Sequence, residues 1–170
     1  MSADAANRLL ESPTLRYATD DDAAAVRDLV AAAYGAYVVL IGRTPIPMLT
    51  DYAAAIRQHD VWVLDSDGMI VGVIELEGRV DHLWLHNVAI APDWQGRGLG
   101  RRLLGHAEQE ATRLRLGEIR LLTNERYLDN IAMYNRHGYR ETHREPYLGT
   151  DLVYFVKRLS AGGPGEDRQA

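Results

Sequence analysis

The hydrophobic pattern along the chain predicts alternating strands and helices. Short apolar runs bounded by turn residues predict seven strands, and apolar residues three or four positions apart predict four helices. In chain order the elements read β α α β β β α β α β β, which indicates one α/β domain. The predicted strands are Leu15–Tyr17, Val61–Leu64, Met69–Leu76, His82–Ile90, Ile119–Thr123, Tyr139–Glu145 and Asp151–Arg158.

The first two helices are marked by capping residues. Thr19, with Asp22 three residues later, predicts the start of the first helix. The segment Tyr34–Leu49 contains two glycines and two prolines and is predicted to be irregular. Thr50 or the residue after it predicts the start of a second helix that runs to about Gln58.

The last two helices are expected to end at glycines. An apolar stripe from Leu99 to Leu114 predicts the third helix, with Gly117 as its left-handed cap. The fourth helix is predicted over Asp129–His137 and is closed by Gly138.

The segment His86–Arg102 reads as a strand, a glycine loop and the start of a helix. Glycines at 96, 98 and 100 remove side chains, so the loop backbone can approach a ligand closely. The following helix N-terminus carries unpaired N–H groups and a partial positive charge. Together with Arg97, Arg101 and Arg102, these features predict a binding site for a diphosphate.

Two common phosphate-binding motifs do not fit this segment. A P-loop requires Lys followed by Ser or Thr at the helix start, where this chain has Leu99-Gly100-Arg101. A dinucleotide-binding fold requires Gly-x-Gly-x-x-Gly near the first strand. Here the third glycine comes one residue early, and the loop lies beyond the middle of the chain.

Two motifs in the expected order carry a family resemblance. Gln95–Gly100, spelled Gln-x-x-Gly-x-Gly, resembles the acyl-CoA loop of the GCN5-related N-acetyltransferase (GNAT) family, and Val88–Ile90 resembles the strand before that loop. Asn130–Tyr139 resembles a later family helix that ends in Tyr-x-x-x-Gly-aromatic. The resemblance covers about residues 14–158. It implies a single GNAT domain over residues 1–160, with a mixed, mostly antiparallel sheet flanked by helices on both faces, and residues 161–170 are expected to form a disordered tail.

The resemblance also implies where acetyl-CoA, the cosubstrate, binds. The N–H groups of the loop would hold the pyrophosphate, and the backbone of Val88 and Ile90 would pair with the pantetheine arm, while the side chains of both belong to the core. Asn130 departs from the commoner family spelling, in which the asparagine stands seven residues before the tyrosine, here at Tyr127. The residues expected to bind acetyl-CoA are Val88, Ala89, Ile90, Gln95, Gly96, Arg97, Gly98, Leu99, Gly100, Arg101 and Asn130.

Three residues are candidates for catalysis. Tyr134 occupies the position at which the family carries a tyrosine directed at the CoA sulfur, where a phenol can protonate the departing thiolate; ordinary core packing is the alternative. His86 is a candidate general base because histidine titrates near neutrality, and Glu75 on the neighbouring strand is a second candidate. Structural roles for both, and a base that acts through water, stay open. His82 and His86 share a strand face, but no acidic partner follows at metal-ligand spacing, so no metal site is expected.

The segment that often walls the acceptor pocket in this family is rich in aromatic and charged residues. Asp51 could pair with an ammonium group and Arg43 with a carboxylate, and ordinary loop packing is the alternative. This mixture does not select an acceptor. The residues concerned are Tyr34, Tyr37, Arg43, Met48, Asp51 and Tyr52, with Tyr147 from the last hairpin.

Composition restricts the classes of partner. The net charge of −5 argues against a general nucleic-acid surface, and the absence of cysteine excludes disulfides and a thiol nucleophile. No run of about 18 apolar residues is apparent, so no membrane span is expected. Met1–Ser12 lacks the features of a secretory signal, so a cytoplasmic location is expected. The oligomeric state is left open, with a homodimer among the states allowed.

These observations predict an acetyl-CoA-dependent N-acetyltransferase. The acetyl group would pass to a primary amine of a small molecule or protein by direct attack in a ternary complex, since no cysteine can carry an acyl-enzyme. One alternative is a non-catalytic acyl-CoA-binding module. Another is transfer to oxygen, or transfer of a longer acyl chain, on the same scaffold.

Overall fold

Seven strands form one mixed sheet in the order β1-β2-β3-β4-β5-β7-β6 in a computed structural model that describes residues 12–160. The expected tail at 161–170 and nearly all of the N-terminal segment 1–12 lie outside the described residues. Only the β4–β5 pair is parallel among the strand pairs of the described chain. The strands are β1 Thr14–Tyr17, β2 Asp60–Ser66, β3 Met69–Gly78, β4 Leu83–Ile90, β5 Glu118–Asn124, β6 Arg140–Tyr147 and β7 Thr150–Arg158.

Within residues 12–160, four α-helices cover the two faces of this sheet. One buried cluster joins the sheet to α3 and α4 through residues such as Leu103 and Tyr134, and a second joins it to α1 and α2 through residues such as Val30 and Ala55. The order of strands and helices and the two-sided arrangement confirm the sequence prediction. The helices are α1 Ala23–Ile41, α2 Tyr52–Gln58, α3 Leu99–Arg113 and α4 Leu128–Arg136.

The first helix is longer than the sequence predicts. An irregular segment was expected from Tyr34 onwards, but α1 continues through Gly35 to Ile41. A glycine inside a helix costs about 1 kcal/mol relative to alanine. Burial of Tyr34 and Ile41 against the sheet outweighs this cost. The helix ends at Gly42, whose φ of 70° is left-handed.

The same region includes a segment that bears on the expectation of no membrane span. An 18-residue window within Asp20–Ile41 has a mean hydropathy of 1.6, so this segment is long and apolar enough to cross a membrane by length and composition alone. In the fold, one face of this helix packs on the sheet, where Val26 and Val30 are fully buried.

The end of α3 also differs from the prediction. The left-handed residue after this helix is Arg115, with φ 58°, and not Gly117. The Leu116 N–H donates to the Ala111 carbonyl at 2.8 Å. Leu116 packs against the core, and this apolar contact favours an early end of the helix.

Two irregularities of β4 position the site. β4 pairs with β5 only at Leu83 and Trp84, so beyond these residues the two strands diverge and one edge of β4 is left unpaired. On its other edge, β4 places Leu85 opposite Leu76 and Asn87 opposite Glu75, so His86 is an extra residue in a β-bulge.

Candidate active site

The loop after β4 is shaped by two left-handed glycines. Gly96 has φ 74° and Gly98 has φ 77°, and a Cβ at either position would meet no described atom within 4 Å. The Gln95 side-chain amide donates to the Ile90 carbonyl at 3.1 Å and ties the loop to the end of β4. The space beside these glycines is therefore open and adjoins the N-terminus of α3. An anion-binding site requires such access to the N–H groups of a helix N-terminus.

A cleft of about 370 Å³ lies against this loop and is here called the loop cleft. It contains ten of the eleven residues expected to bind acetyl-CoA; their role in binding stays a prediction. The residues in question are Val88, Ala89, Ile90, Gln95, Gly96, Gly98, Leu99, Gly100, Arg101 and Asn130. The side chains of Val88 and Ile90 also pack in the core, as expected.

The three arginines expected to add positive charge at the loop, Arg97, Arg101 and Arg102, point to different places. Arg101 lines the loop cleft, whereas Arg97 donates to the Asp93 carbonyl at 2.9 Å and lies over the Trp94 ring. Arg102 turns away and donates to the Pro13 carbonyl. The second arginine of the cleft is Arg136 from α4. The sequence did not single it out, because only the docking of α4 brings it to the loop.

A second cavity, of about 330 Å³, lies on the other side of the β4 bulge and is here called the aromatic cavity. Four tyrosines of the described chain line it: Tyr34, Tyr127, Tyr134 and Tyr147. Leu85, His86 and Asn87 line the aromatic cavity, while the next three residues of β4 line the loop cleft, and Tyr34 lines both. The two spaces therefore meet along one strand. A larger groove, of about 770 Å³, elsewhere on the sheet contains no predicted catalytic or acetyl-CoA-binding residue.

Tyr134 belongs to both the core and the aromatic cavity. The residue is 4% exposed, and its ring lies edge-on to Tyr139 with 5.6 Å between ring centroids. Burial raises the pKa of the Tyr134 phenol well above its usual value. The phenol is therefore protonated at neutral pH and can donate a proton or a hydrogen bond.

A buried hydrogen-bonded chain supports the cavity where it meets the sheet. The Tyr34 hydroxyl donates to Asn87 Oδ1 at 2.8 Å, and Asn87 Nδ2 donates to the Tyr52 hydroxyl at 3.1 Å. The Tyr52 hydroxyl donates in turn to the Pro47 carbonyl at 2.9 Å. Sequence reasoning missed Asn87, whose position inside a strand carries no motif.

His86 has two side-chain neighbours that the sequence did not predict. Its Nε2–H donates to Glu77 Oε2 at 2.7 Å, and its ring stacks on His59 with 4.6 Å between centroids. The hydrogen bond from His86 lowers the pKa of Glu77, which therefore stays a carboxylate. Because a carboxylate only accepts, the lone pair of neutral His86 is on Nδ1.

Glu75 is placed differently from His86. It is 4% exposed, accepts a hydrogen bond from His59 Nδ1–H at 2.7 Å, and does not line the aromatic cavity. Of the two candidate bases, only His86 reaches the cavity.

The expectation of no metal site rested on sequence spacing after His82 and His86, but the fold brings His59 and Glu77 beside His86. Ligand atoms of His59, Glu77 and His86 lie within 4.8 Å of one another. The two imidazole planes are 8° from parallel, however, so their in-plane lone pairs do not converge on one ion. The arrangement suits a stacked pair better than a metal centre.

The residues expected to wall the acceptor pocket divide into four groups. Tyr34, Arg43 and Tyr147 line the aromatic cavity, and Tyr37 lines the loop cleft. Asp51 instead caps α2, where its side chain accepts from the Ala54 N–H at 3.1 Å. The remaining two, Met48 and Tyr52, pack beside the cavity without lining it.

Comparisons with known proteins identify a family and several solved structures that this chain resembles. A family model described as an acetyltransferase (GNAT) domain matches residues 57–141, half of the chain. No curated protein sequence is significantly similar to this chain.

Several solved structures share the fold at low sequence identity. PaiA N-acetyltransferase from Thermoplasma acidophilum, in complex with coenzyme A, superposes with a TM-score of 0.73 at 16% identity, over 88% of this chain and 100% of that one. The ribosomal-protein-S18-alanine N-acetyltransferase of Escherichia coli gives 0.72 at 21% identity, over 90% and 97%. An acetyltransferase described as putative from Salmonella typhimurium, with its cofactor acetyl-CoA, gives 0.69 at 20% identity, over 92% and 99%.

Proposed function

Because the chain belongs to the GNAT family of acetyltransferases, we propose that it is an acetyl-CoA-dependent N-acetyltransferase whose acceptor is a primary amine. The observation that carries this proposal is the meeting of the two spaces along β4. A thioester whose pantetheine follows the loop cleft along Val88–Ile90 would end beside the aromatic cavity, next to His86 and Tyr134. Structural neighbours crystallised with coenzyme A or acetyl-CoA support the choice of donor.

The loop cleft suits the donor by its chemistry. Gly96 and Gly98 leave room for phosphate oxygens, and the N–H groups at the start of α3 are available to an anion. Arg101 and Arg136 add positive charge. The unpaired edge of β4 offers backbone groups to an extended pantetheine arm.

Chemistry would proceed by direct attack. The neutral amine forms a bond to the thioester carbonyl carbon, and the carbon–sulfur bond breaks. His86 Nδ1 accepts the proton that the amine must lose, and the Tyr134 phenol protonates the departing sulfur. No cysteine is present to carry an acyl group, which supports a ternary complex.

The test is an acetylation screen. The full chain is incubated with acetyl-CoA and a panel of primary amines and alcohols, and free CoA and product mass are measured. We expect amine-dependent release of CoA and a product heavier by one acetyl group on nitrogen. Saturable acetyl-CoA binding without CoA release for any acceptor would instead identify an acyl-CoA-binding module, and acetylated alcohols would identify transfer to oxygen.

A further inference from the structure

Among the described residues, Arg43 is the one arginine that lines the aromatic cavity. It follows the C-cap of α1, and its Nη2 donates to the Thr150 hydroxyl at 3.2 Å and to the Tyr147 carbonyl at 3.4 Å. The guanidinium also lies over the Tyr147 ring, 5.0 Å from its centroid. Contacts from the β6–β7 hairpin therefore hold this cation at the wall of the cavity.

The charge of Arg43 is uncompensated within the described residues. Its Nη1 is buried and has no hydrogen-bond partner there. No aspartate or glutamate is among the described residues that line the cavity, and Arg43 takes part in none of the ion pairs between them. A buried N–H group of a cation left without an acceptor costs free energy, and a carboxylate that accepts from the guanidinium removes that cost.

The rest of the cavity wall is mostly apolar. Aliphatic side chains stand beside the tyrosine rings, so a ligand would have an apolar body as well as an anionic group. The volume of about 330 Å³ is at the lower end of the range for small-molecule sites, so the ligand would be small. The aliphatic residues are Ile41, Ile46, Leu49, Leu85, Leu122, Leu148 and Leu152.

From this juxtaposition we infer that the acceptor is a small apolar amine that carries a carboxylate, such as an aliphatic or aromatic amino acid, and that Arg43 binds the carboxylate. This inference rests on the proposed function and adds the class of acceptor to it. The amine would then lie towards His86 and Tyr134. Amines with a second ammonium group are disfavoured, because the described lining offers that group no carboxylate and places Arg43 against it.

The first experiment compares matched acceptors with the unaltered full chain. Leucine is compared with isopentylamine, which lacks the carboxylate, and with leucine amide, which replaces it by a neutral group. Rates are measured at several pH values and corrected for the fraction of free amine. We expect kcat/KM for leucine to exceed that for either analogue at least tenfold. Equal or faster acetylation of isopentylamine or leucine amide would overturn the inference, and the latter result would point to peptide N-termini.

The second experiment tests with variants whether Arg43 is responsible for the preference for a carboxylate. Arg43→Gln should lower kcat/KM for leucine at least tenfold while isopentylamine keeps its rate, and Arg43→Lys should recover part of the loss. Arg126→Gln is the matched control, because Arg126 donates to the Leu40 carbonyl at 3.0 Å nearby but does not line the cavity. Acetyl-CoA affinity and the thermal midpoint show whether each variant is folded.

The outcomes separate the two proposals. Absence of acetyl transfer to any amine contradicts the proposed function itself. Transfer to amines without a preference for the carboxylate, or an equal loss on both acceptors in Arg43→Gln, leaves the function standing and overturns the inference.

Discussion

Tyr134 belongs both to the core and to the wall of the aromatic cavity. Its ring packs with Tyr139 and Phe155, while the residue also lines the aromatic cavity. The burial that anchors the ring also raises the pKa of the phenol, so the phenol keeps its proton at neutral pH.

Replacing Tyr134 by phenylalanine keeps the ring and removes the phenol. Loss of a general acid typically lowers rates by about 10²- to 10⁴-fold, and we expect a fall in kcat of that order with acetyl-CoA affinity unchanged. Single-turnover kinetics and a calorimetric titration measure the two quantities. Tyr139→Phe is the control: the Tyr139 hydroxyl is buried without a partner among the described residues and does not line the cavity, so activity should be retained. Turnover of Tyr134→Phe within a factor of two would contradict the assignment.

The identity of the general base can also be tested at the scale of single residues, because substitutions of His86 and Glu75 are expected to have different effects. His86→Gln should remove the acid limb of the pH profile of kcat/KM and leave only the titration of the amine. Glu75→Gln should keep that limb, because Glu75 does not line the cavity. Profiles are recorded on an acceptor of known pKa.

His59→Gln is the matched control for this experiment. It removes the stacked ring beside His86 but leaves His86 and its bond to Glu77 in place. The acid limb should survive in this variant. Unchanged profiles in both His86→Gln and Glu75→Gln would mean that the amine loses its proton to solvent or through a water chain.

At the scale of elements, the glycine loop and α3 act as one unit. Gln95 ties the loop to β4, and left-handed Gly96 and Gly98 turn the chain so that the helix begins at Leu99 beside the cleft. A Cβ at Gly96 or Gly98 would meet no described atom within 4 Å, whereas a Cβ at Gly100 would lie 3.4 Å from Met133 Sδ.

Gly98→Asp should weaken acetyl-CoA binding at least tenfold, or about 1.4 kcal/mol, because it places a carboxylate where a pyrophosphate is expected. Gly98→Asn is the matched variant, since asparagine and aspartate both tolerate left-handed backbone but only aspartate is charged. We expect its affinity to fall less. Calorimetric titration of both folded variants checks this, and unchanged affinity in Gly98→Asp would disprove the role of the loop.

At the scale of the whole molecule, one arginine links β1, β2 and the start of α1. Arg16 donates twice to Asp22, at 2.8 and 3.0 Å, and once to Asp65 at 2.9 Å. The hydrogen bonds from Arg16 lower the pKa of Asp22 to about 2, from a usual value of 3.8. Since the carboxylate is stabilised in the folded state, its contribution is complete above about pH 4 and is lost as the pH falls towards 2.

Asp22→Asn should therefore destabilise the protein by roughly 1–2 kcal/mol at neutral pH, and the difference from the unaltered chain should shrink below pH 4. Urea unfolding at a series of pH values measures this. Asp28→Asn is the control, because Asp28 is exposed and pairs with its neighbour Arg27, so its effect should be small throughout. A difference that persists unchanged to pH 2 would disprove the role of the ion pairs.

Local features of this protein could be predicted from its sequence. Hydrophobic periodicity and turn residues are properties of neighbouring positions, and the order of elements, the glycine loop and the cap at Gly138 follow from them. Predictions from the conformational preference of glycine were wrong at positions where tertiary packing favours a different conformation. Gly35 lies inside α1 because burial of Tyr34 and Ile41 outweighs its cost, and Arg115 takes the left-handed position expected of Gly117.

The contents of the site depended on tertiary structure. The bulge at His86, its stacking on His59 and its bond to Glu77 arise from strand register and from the placement of α2. Arg136 reaches the loop cleft only because α4 docks there, and Arg43 is held by a hairpin more than 100 residues away. Such contacts join positions far apart in the chain, so no local pattern encodes them. The sequence by itself determined the family and the glycine loop, while only the fold decided which side chains line the aromatic cavity.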